Sequence, residues 1–233
     1  LFPNQVVAWE VLDGPFGRKL MEEMRKSTGI RTLAISENGY RHFVTGSKQV
    51  KSMADMKGLK IRTMENPAHM KMVEALGGAP TPIAFGELYM ALQQGVVDGC
   101  ELPVTLINNG KYYEVQKHVI LNGHLYNPLI MFVNDKVWEK LSQDQKAALY
   151  EGAQLFNIAQ RAISERQVQS GLLNVQKNGM TVYVPTAAEL NEFRSAAQPA
   201  VLDYVKAQAG EQWVNEALEA VAAAEAKMAE MLK

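Results

Sequence analysis

Hydrophobic positions in the first 80 residues predict helices that alternate with strands. Apolar side chains recur at helical spacing from Asp13 to Lys26, and Gly29 ends this helix before a β-favouring apolar run over residues 30–35. A polar turn signal at residues 37–41 separates that strand from a second extended stretch at 41–45. Residues 58–63 alternate in period two and precede a helix from Pro67 to Leu76. Such an order of elements is typical of an α/β protein.

Prolines and glycines divide the middle of the chain into short elements. Pro80 and Pro82 favour an extended connection into a short helix over residues 85–94, which a strand and turn follow at residues 96–99. Residues 118–122 and 129–133 read as two further strands. Pro128 lies between them, so we predict a hinge at residues 126–127.

The pattern becomes helical from Ser142 onward. Ser142 and Gln145 form a capping box ahead of an Ala- and Gln-rich helix that continues to Lys177. At 1.5 Å per residue this helix is roughly 50 Å long, more than the width of a small lobe, so we expect it to span two lobes. A strand at residues 180–184 and helices at 187–207 and 212–232 follow, and Pro199 is expected to kink or divide the first helix.

Composition limits the classes of function. The 24 Lys and Arg residues nearly cancel the 25 Asp and Glu residues, which gives no global field toward nucleic acid or an anionic membrane. The single cysteine, Cys100, excludes an intramolecular disulfide and a cysteine-based metal cluster. No apolar run reaches the roughly 18 residues that cross a bilayer. Composition alone leaves the cellular compartment open.

Motifs for catalysis are absent from the sequence. The chain has no Gly-x-Ser-x-Gly elbow, no phosphate-binding Gly-x-x-x-x-Gly-Lys and no His-Glu-x-x-His pair. The spacing of its four histidines does not indicate a metal site, and each is expected to be structural or at the surface: His42, His69, His118 and His124.

Arg62 is the strongest candidate for a binding role. Alternation in its strand places Leu59 and Ile61 on one face and Lys60 and Arg62 on the other. The planar guanidinium is well suited to a carboxylate because it donates two parallel hydrogen bonds. From spacing alone, the simpler interpretation of Arg62 is a surface arginine paired with a nearby glutamate.

Three other positions carry the same ambiguity. Arg41 follows a glycine turn and precedes a strand. Phe85, at a helix entry, is suited either to ordinary core packing or to stacking on a ligand. Glu101 is either an exposed strand-end carboxylate or an acceptor for ligand hydroxyl groups.

Five blocks together resemble the DctP-like solute receptors of tripartite ATP-independent periplasmic (TRAP) transporters. They are GLKIR at 58–62, ENP at 65–67, ALGGAPTP at 75–82, FGELYMALQQGVVDG at 85–99 and YEVQK at 113–117. A looser similarity extends over the whole chain, through residues 123–128 and the long helix after Ser142.

The resemblance implies two α/β lobes that trap a solute between them. Lobe I is expected to comprise residues 1–38 and 128–165, and lobe II residues 39–127 and 166–233, with the helix at about 143–177 spanning both. Family members normally begin with further elements of the first lobe, ahead of the region that residues 1–13 resemble. The resemblance therefore implies that roughly the first quarter to third of the family's mature chain lies outside this sequence.

The family's function implies a periplasmic receptor that binds a small organic carboxylate, such as a sugar acid, and delivers it to the membrane subunits of a TRAP permease. It implies no enzymatic activity, cofactor, metal or nucleic acid partner, and a protein that does not itself span the membrane. By resemblance, Arg62 grips the solute carboxylate, Arg41 reaches the ligand and Phe85 packs against it. Glu101, Leu102 and Asn127 complete the expected ligand-binding set.

One departure concerns specificity. Sugar-acid receptors of the family commonly have Gln-Glu-Asn-Pro where this chain has Cys100-Glu101-Leu102-Pro103. The apolar Leu102 therefore suggests a less hydroxylated solute. Two other functions stay open: an enzyme on a similar frame that uses Glu37 or Glu101 as general base beside Arg62, and a sensor that presents its solute to a signalling receptor.

Overall fold

Helices and strands alternate through the first two thirds of the protein, and long helices form the rest. The computed structural model describes Leu1–Lys233. The strands are β1 (Ile30–Thr45), β2 (Lys60–Thr63), β3 (Ala79–Pro82), β4 (Gly99–Pro103), β5 (His118–Asn134) and β6 (Thr181–Tyr183). The helices are α1 (Gln5–Asp13), α2 (Pro15–Thr28), α3 (Met53–Met56), α4 (Pro67–Ala75), α5 (Leu88–Gln93), α6 (Val104–Asn109), α7 (Asp135–Glu139), α8 (Gln143–Lys177), α9 (Ala187–Ala209) and α10 (Glu211–Met231). Short 3-10 helices lie at Phe85–Glu87 and Tyr112–Glu114.

One mixed sheet contains all six strands, in the order β3-β2-β4-β1-β5-β6. β2 runs parallel to both β3 and β4, and Arg62 lies opposite Thr81 on one side and Cys100 on the other. β1 is antiparallel to β4, with Phe43 opposite Glu101. The α/β class expected from the sequence is therefore observed.

The chain forms two units. The first unit comprises residues 1–39, 126–166 and 215–233, and the second comprises residues 40–125 and 167–214. β1, β5 and α8 each contribute residues to both units. The C-terminal residues 215–233 belong to the first unit, whereas the family resemblance places them in lobe II. The reason is apolar packing, because Val221 and Ala224 of α10 form a buried cluster with Val7 and Val11 of α1.

Two long strands replace the four short ones that the sequence predicted. β1 continues through the turn signal at residues 37–41, and Glu37 is buried rather than exposed in a turn. β5 likewise continues through Gly123 and Pro128, without a break at the predicted hinge. Gly39 and Gly123 have φ angles of 96° and 51°, which glycine adopts without strain. The pairing of β1 with β5 in the sheet therefore outweighs the local turn preferences.

Several further elements differ from the sequence prediction. Four short helices were not anticipated: α1, α3, α6 and α7. Strand β4 begins at Gly99, where the predicted strand and turn at residues 96–99 ends. Pro199 neither ends nor divides α9. Because α9 packs against α4 and buries Phe193 in the core, tertiary contacts offset the backbone hydrogen bond that proline removes.

Buried apolar clusters are largest in the second unit. One contains Leu88, Leu102 and Ile107, and another contains Phe43, Ile61 and Val73. In the first unit, the buried cluster has only four fully buried members, from α1 and α10. Across the protein, no helix combines the length and apolar character needed to span a membrane.

Candidate functional site

Arg62 lies in the middle of the second unit's sheet with part of its guanidinium unpartnered. Its side chain is 2% exposed, because β2 is flanked by β3 and β4. Nε donates a 2.8 Å hydrogen bond to the carbonyl oxygen of Ile83, whereas the buried Nη1 has no hydrogen-bond partner. Burial lowers the pKa of Arg62, since desolvation disfavours the cation. A buried donor of this kind is costly unless an acceptor reaches it.

Arg41 of β1 and Glu101 of β4 form a buried ion pair. Their side chains are 2% and 0% exposed. The Arg41 Nε donates to Glu101 Oε2, and Nη2 donates to Glu101 Oε1 at 2.9 Å and to the Glu101 carbonyl oxygen at 2.6 Å. This two-pronged contact fixes both side chains, because the planar fork of arginine matches the carboxylate.

Two histidines complete the surroundings of the Glu101 carboxylate. His69 Nδ1 lies 3.5 Å from Oε1 and His124 Nε2 lies 3.6 Å from Oε2, slightly beyond ordinary hydrogen-bond distances. His124 stacks on Phe43 with ring centroids 4.3 Å apart. Burial lowers the pKa of His124, because desolvation disfavours the charged ring.

Glu101 is an anion held by its neighbours. Burial alone would raise the pKa of Glu101, but His124, His69 and the Arg41 guanidinium outweigh burial and hold it well below its usual range. A carboxylate with so low a pKa is a weak base. Glu101 is therefore better suited to orienting Arg41 and the two histidines than to abstracting a proton.

Two other predicted residues of the second unit have different surroundings. Phe85 begins a 3-10 helix and is 54% exposed, two residues after the carbonyl group that accepts from Arg62. Leu102 is 1% exposed within an apolar cluster that includes Ile107 and Tyr112. Because neighbours on a strand face opposite sides, Leu102 points away from the side chain of Glu101.

Asn127 and Glu37 lie in the first unit. Asn127 Oδ1 accepts a 3.1 Å hydrogen bond from Asn38 Nδ2. The Glu37 carboxylate accepts a 2.9 Å hydrogen bond from Trp9 Nε1. Burial raises the pKa of Glu37 to about 7, and repulsion by the carboxylate of Glu165 is the second, smaller cause.

The second unit thus brings Arg62, Arg41 and Glu101 into one electrostatic cluster. Sequence reasoning missed His69 and His124 as parts of this cluster, because their positions along the chain share no spacing pattern. His69 lies on α4 and His124 on β5, so only the tertiary fold brings them to the same carboxylate. No group of three or more His, Cys, Asp or Glu side chains has the geometry of a metal site.

A buried arginine with an unpartnered nitrogen is suited to binding a carboxylate, since a carboxylate oxygen can accept the free N–H. Comparison with known families gives the class of protein. The family described as bacterial extracellular solute-binding protein, family 7 (DctP), matches residues 1–208. The chain belongs to this family.

Similar proteins include one named a solute-binding protein in Verminephrobacter eiseniae. It is 36% identical over 225 residues, which cover 97% of this chain and 65% of the relative. The chain thus spans slightly less than two thirds of that relative's length.

Solved structures of similar proteins contain bound acids. The sugar acid binding protein DctPAm from Advenella mimigardefordensis, in complex with galactonate, has a TM-score of 0.91 and 31% identity. The match covers 96% of this chain and 71% of that one. A TRAP periplasmic solute binding protein from Polaromonas sp. JS666, bound to D-erythronate, has a TM-score of 0.85 and 37% identity, with coverages of 97% and 71%.

Proposed function

We propose that this chain is the solute-recognising part of a TRAP transporter receptor, and that Arg62 binds the carboxylate of a small organic acid. The observation that carries the proposal is the buried Nη1 of Arg62, which has no acceptor while Nε is held by the carbonyl group of Ile83. A carboxylate oxygen supplies the missing acceptor and compensates the buried positive charge.

Sugar acids are the first solutes to consider. The similar receptors with bound galactonate and D-erythronate support this class. In the sequence, Leu102 suggested a solute with fewer hydroxyl groups than a sugar acid. In the structure, however, its side chain lies in the apolar core of the second unit. Phe85 is exposed two residues after Ile83, whose carbonyl group accepts from Arg62, and is a candidate for contact with the carbon skeleton of the solute. Arg41 is a second candidate, with Glu101 fixing its orientation.

The receptor would work in the periplasm and deliver its solute to the membrane subunits of a permease. The similar protein from Polaromonas is a periplasmic TRAP protein, which supports this location and partner. A sensor that presents the same solute to a signalling receptor shares the binding chemistry. Pull-down with permease subunits, in the presence and absence of solute, separates delivery from sensing.

An enzyme is the second candidate, because the pKa of about 7 at Glu37 suits a general base. Membership in a family of solute-binding proteins argues against an enzymatic function. Incubation of the protein with each bound acid, followed by mass spectrometry, is expected to return the acid unchanged. A product that depends on Glu37 would replace the receptor proposal by a catalytic one.

A ligand screen tests the receptor proposal. We expect at least one acid from a set of sugar acids, dicarboxylates, 2-oxo acids and aromatic acids to raise the melting temperature. At one hundred times its Kd, a ligand raises the free energy of unfolding by about 2.7 kcal/mol.

Calorimetry should show that Arg62→Ala weakens binding of that acid by about 2–5 kcal/mol. Arg194→Ala, at an exposed arginine of α9, is the matched control and should bind normally. Equal affinity in the two variants would remove Arg62 from the site.

A further inference from the structure

Glu37 is a buried carboxylic acid in the first unit, with polar neighbours from three other elements. Its side chain is 2% exposed. Trp9 Nε1 of α1 donates to Glu37 Oε2 at 2.9 Å and to the hydroxyl oxygen of Tyr126, on β5, at 3.1 Å. From α8, Glu165 repels a charge on Glu37 and Arg161 attracts it. A buried carboxylate is costly unless a cation compensates its charge.

Arg161 is a cation with an unused donor in the same cluster. Its Nη1 and Nη2 donate to the carboxylate of Asp13 at 2.6 and 2.9 Å, and Nη2 also donates to the carbonyl oxygen of Ile35 at 2.5 Å. The guanidinium lies over the Trp9 ring, 5.2 Å from its centroid. The buried Nε of Arg161 has no hydrogen-bond partner. A further acceptor near Arg161 would therefore find a donor ready.

Two carboxylates compete for Arg161. The side chain of Asp13 is 51% exposed, and an ion pair with so exposed a partner contributes little. Glu37 is buried, where solvent ions screen a charge pair much less. Burial, and then Glu165, raises the pKa of Glu37 to about 7, so its charge appears near neutral pH. Above pH 7, Arg161 therefore has a second anionic neighbour that attracts it more strongly than Asp13 does.

We propose that Glu37, Arg161 and Asp13 form a pH-sensitive switch, in which ionisation of Glu37 draws the guanidinium of Arg161 away from Asp13. When Glu37 is neutral, Arg161 stays on Asp13 and ties α8 to the C-terminal end of α1. When Glu37 is ionised, its carboxylate accepts from Nε of Arg161 and ties α8 to β1 instead. The proton is exchanged with solvent, and Asp13, Glu165, Tyr126 and Arg161 keep their charge states.

The switch lies where the chain leaves the first unit. β1 passes into the second unit after residue 39, β5 enters the first unit at residue 126, and α8 leaves it after residue 166. Glu37, Tyr126 and Glu165 lie within two residues of these three points. Because the same elements continue into the unit that contains Arg62, we expect the charge of Glu37 to alter solute affinity. This last step rests on the proposed receptor function, whereas the switch itself does not.

Trp9 fluorescence reports the charge of Glu37, because the indole N–H donates to that carboxylate. Trp138→Phe and Trp213→Phe leave Trp9 as the only one of the three tryptophans. In this parent protein, we expect the emission to change as pH rises, with a midpoint near 7. Glu37→Gln should abolish the change.

The neighbouring charges should move this midpoint in opposite directions. Glu165→Gln removes a repulsion and should lower it, whereas Arg161→Met removes an attraction and should raise it. Glu165 is only partly buried, so its variant gives a result even where Arg161→Met fails to fold. Glu10→Gln is the matched control and should leave the midpoint unchanged, because Glu10 adjoins Trp9 but pairs with Lys227 at the surface.

Melting temperatures test the exchange of partners. Asp13→Asn removes the carboxylate that holds Arg161 when Glu37 is neutral, so it should lower the melting temperature more at about pH 5.5 than at about pH 8.5. In a Glu37→Gln background, the loss should be the same at both pH values, because Arg161 then has no second carboxylate to turn to.

Calorimetry with an acid found in the ligand screen tests the effect on the solute. Between about pH 6 and pH 8, the affinity of wild type should change by about fivefold or more, while that of Glu37→Gln stays constant. A wild-type affinity that is equal at the two pH values would overturn the effect on the solute. Failure to bind any acid at either pH would contradict the proposed receptor function, and fluorescence and melting would still decide whether the switch exists.

Three results would overturn the switch. The first is Trp9 emission that does not titrate near pH 7, and the second is a transition that persists in Glu37→Gln. The third is a loss of melting temperature in Asp13→Asn that is independent of pH, which would show that Arg161 stays on Asp13 whatever the charge of Glu37.

Discussion

Charged and apolar side chains are arranged differently in the two units. In the second unit, the charges of Arg41 and Glu101 are fully buried and matched, beside large apolar clusters. In the first unit, the pair Arg161–Asp13 keeps the aspartate half exposed, and apolar side chains of α8 face outward. The difference indicates that a well-packed sheet holds the charges of the candidate site in the second unit, whereas the first unit leaves large apolar side chains of β5 and α8 exposed.

The largest stability effect is expected at Glu101. Glu101→Ala leaves the Arg41 guanidinium buried without its anion, which typically costs about 3–5 kcal/mol. Urea unfolding of wild type and variant measures the loss. Glu211→Ala is the control, because its ion pair with Lys206 lies at the surface and contributes little. A loss at Glu101 as small as that at Glu211 would show that the buried pair is not as tightly matched as the structure indicates.

Truncation of apolar side chains compares the two units directly. Leu88→Ala empties a fully buried position in the second unit and should lower the unfolding free energy by about 2–5 kcal/mol. Leu155→Ala, at a side chain that is 70% exposed in the first unit, should change it by less than about 0.5 kcal/mol. Both values come from denaturant titrations. Equal losses would contradict the exposure of α8 in the first unit.

Two carboxylates should give opposite pH dependences. The pKa of Glu37 is raised from 4.5 to about 7, so the folded protein retains a proton that the unfolded chain releases. Its contribution to stability is complete below about pH 4.5 and is lost as pH rises through 7, by about 2–3 kcal/mol. The pKa of Glu101 is lowered, so its contribution is present at neutral pH and is lost upon acidification.

Unfolding titrations from pH 4.5 to 8 test the Glu37 prediction. Glu37→Gln should remove the decline of stability with rising pH across this range. A wild-type profile that is flat between pH 5 and 7.5, matching that of Glu37→Gln, would show that Glu37 ionises normally.

Local sequence patterns predicted most helices but not the long strands. α8 and α9 begin after capping boxes at Ser142 and Thr186, whose side chains accept hydrogen bonds from the backbone N–H groups of Gln145 and Glu189. β1 was predicted as two strands, because Gly39 and its polar neighbours resemble a turn. Its continuity depends on pairing with β4 and β5, which are distant along the chain.

The candidate site was predicted only in part. Arg62 stood out because its strand alternates and its block resembles a receptor family, and the structure gives it a buried unpartnered nitrogen. The contacts of Glu101 with Arg41, His69 and His124 join residues from separate elements, so no local spacing encodes them. Leu102 was predicted to affect solute specificity because it replaces the asparagine of the Gln-Glu-Asn-Pro motif. Its side chain, however, points into the core.

The most direct test of the account is the unfolding free energy of wild type and Arg62→Met, each with and without an acid found in the ligand screen. Without ligand, the variant should be as stable as wild type or more stable, because methionine removes a buried donor that lacks an acceptor. With ligand at one hundred times its Kd, only wild type should gain about 2.7 kcal/mol. An equal gain in Arg62→Met would contradict the claim that this arginine binds the carboxylate.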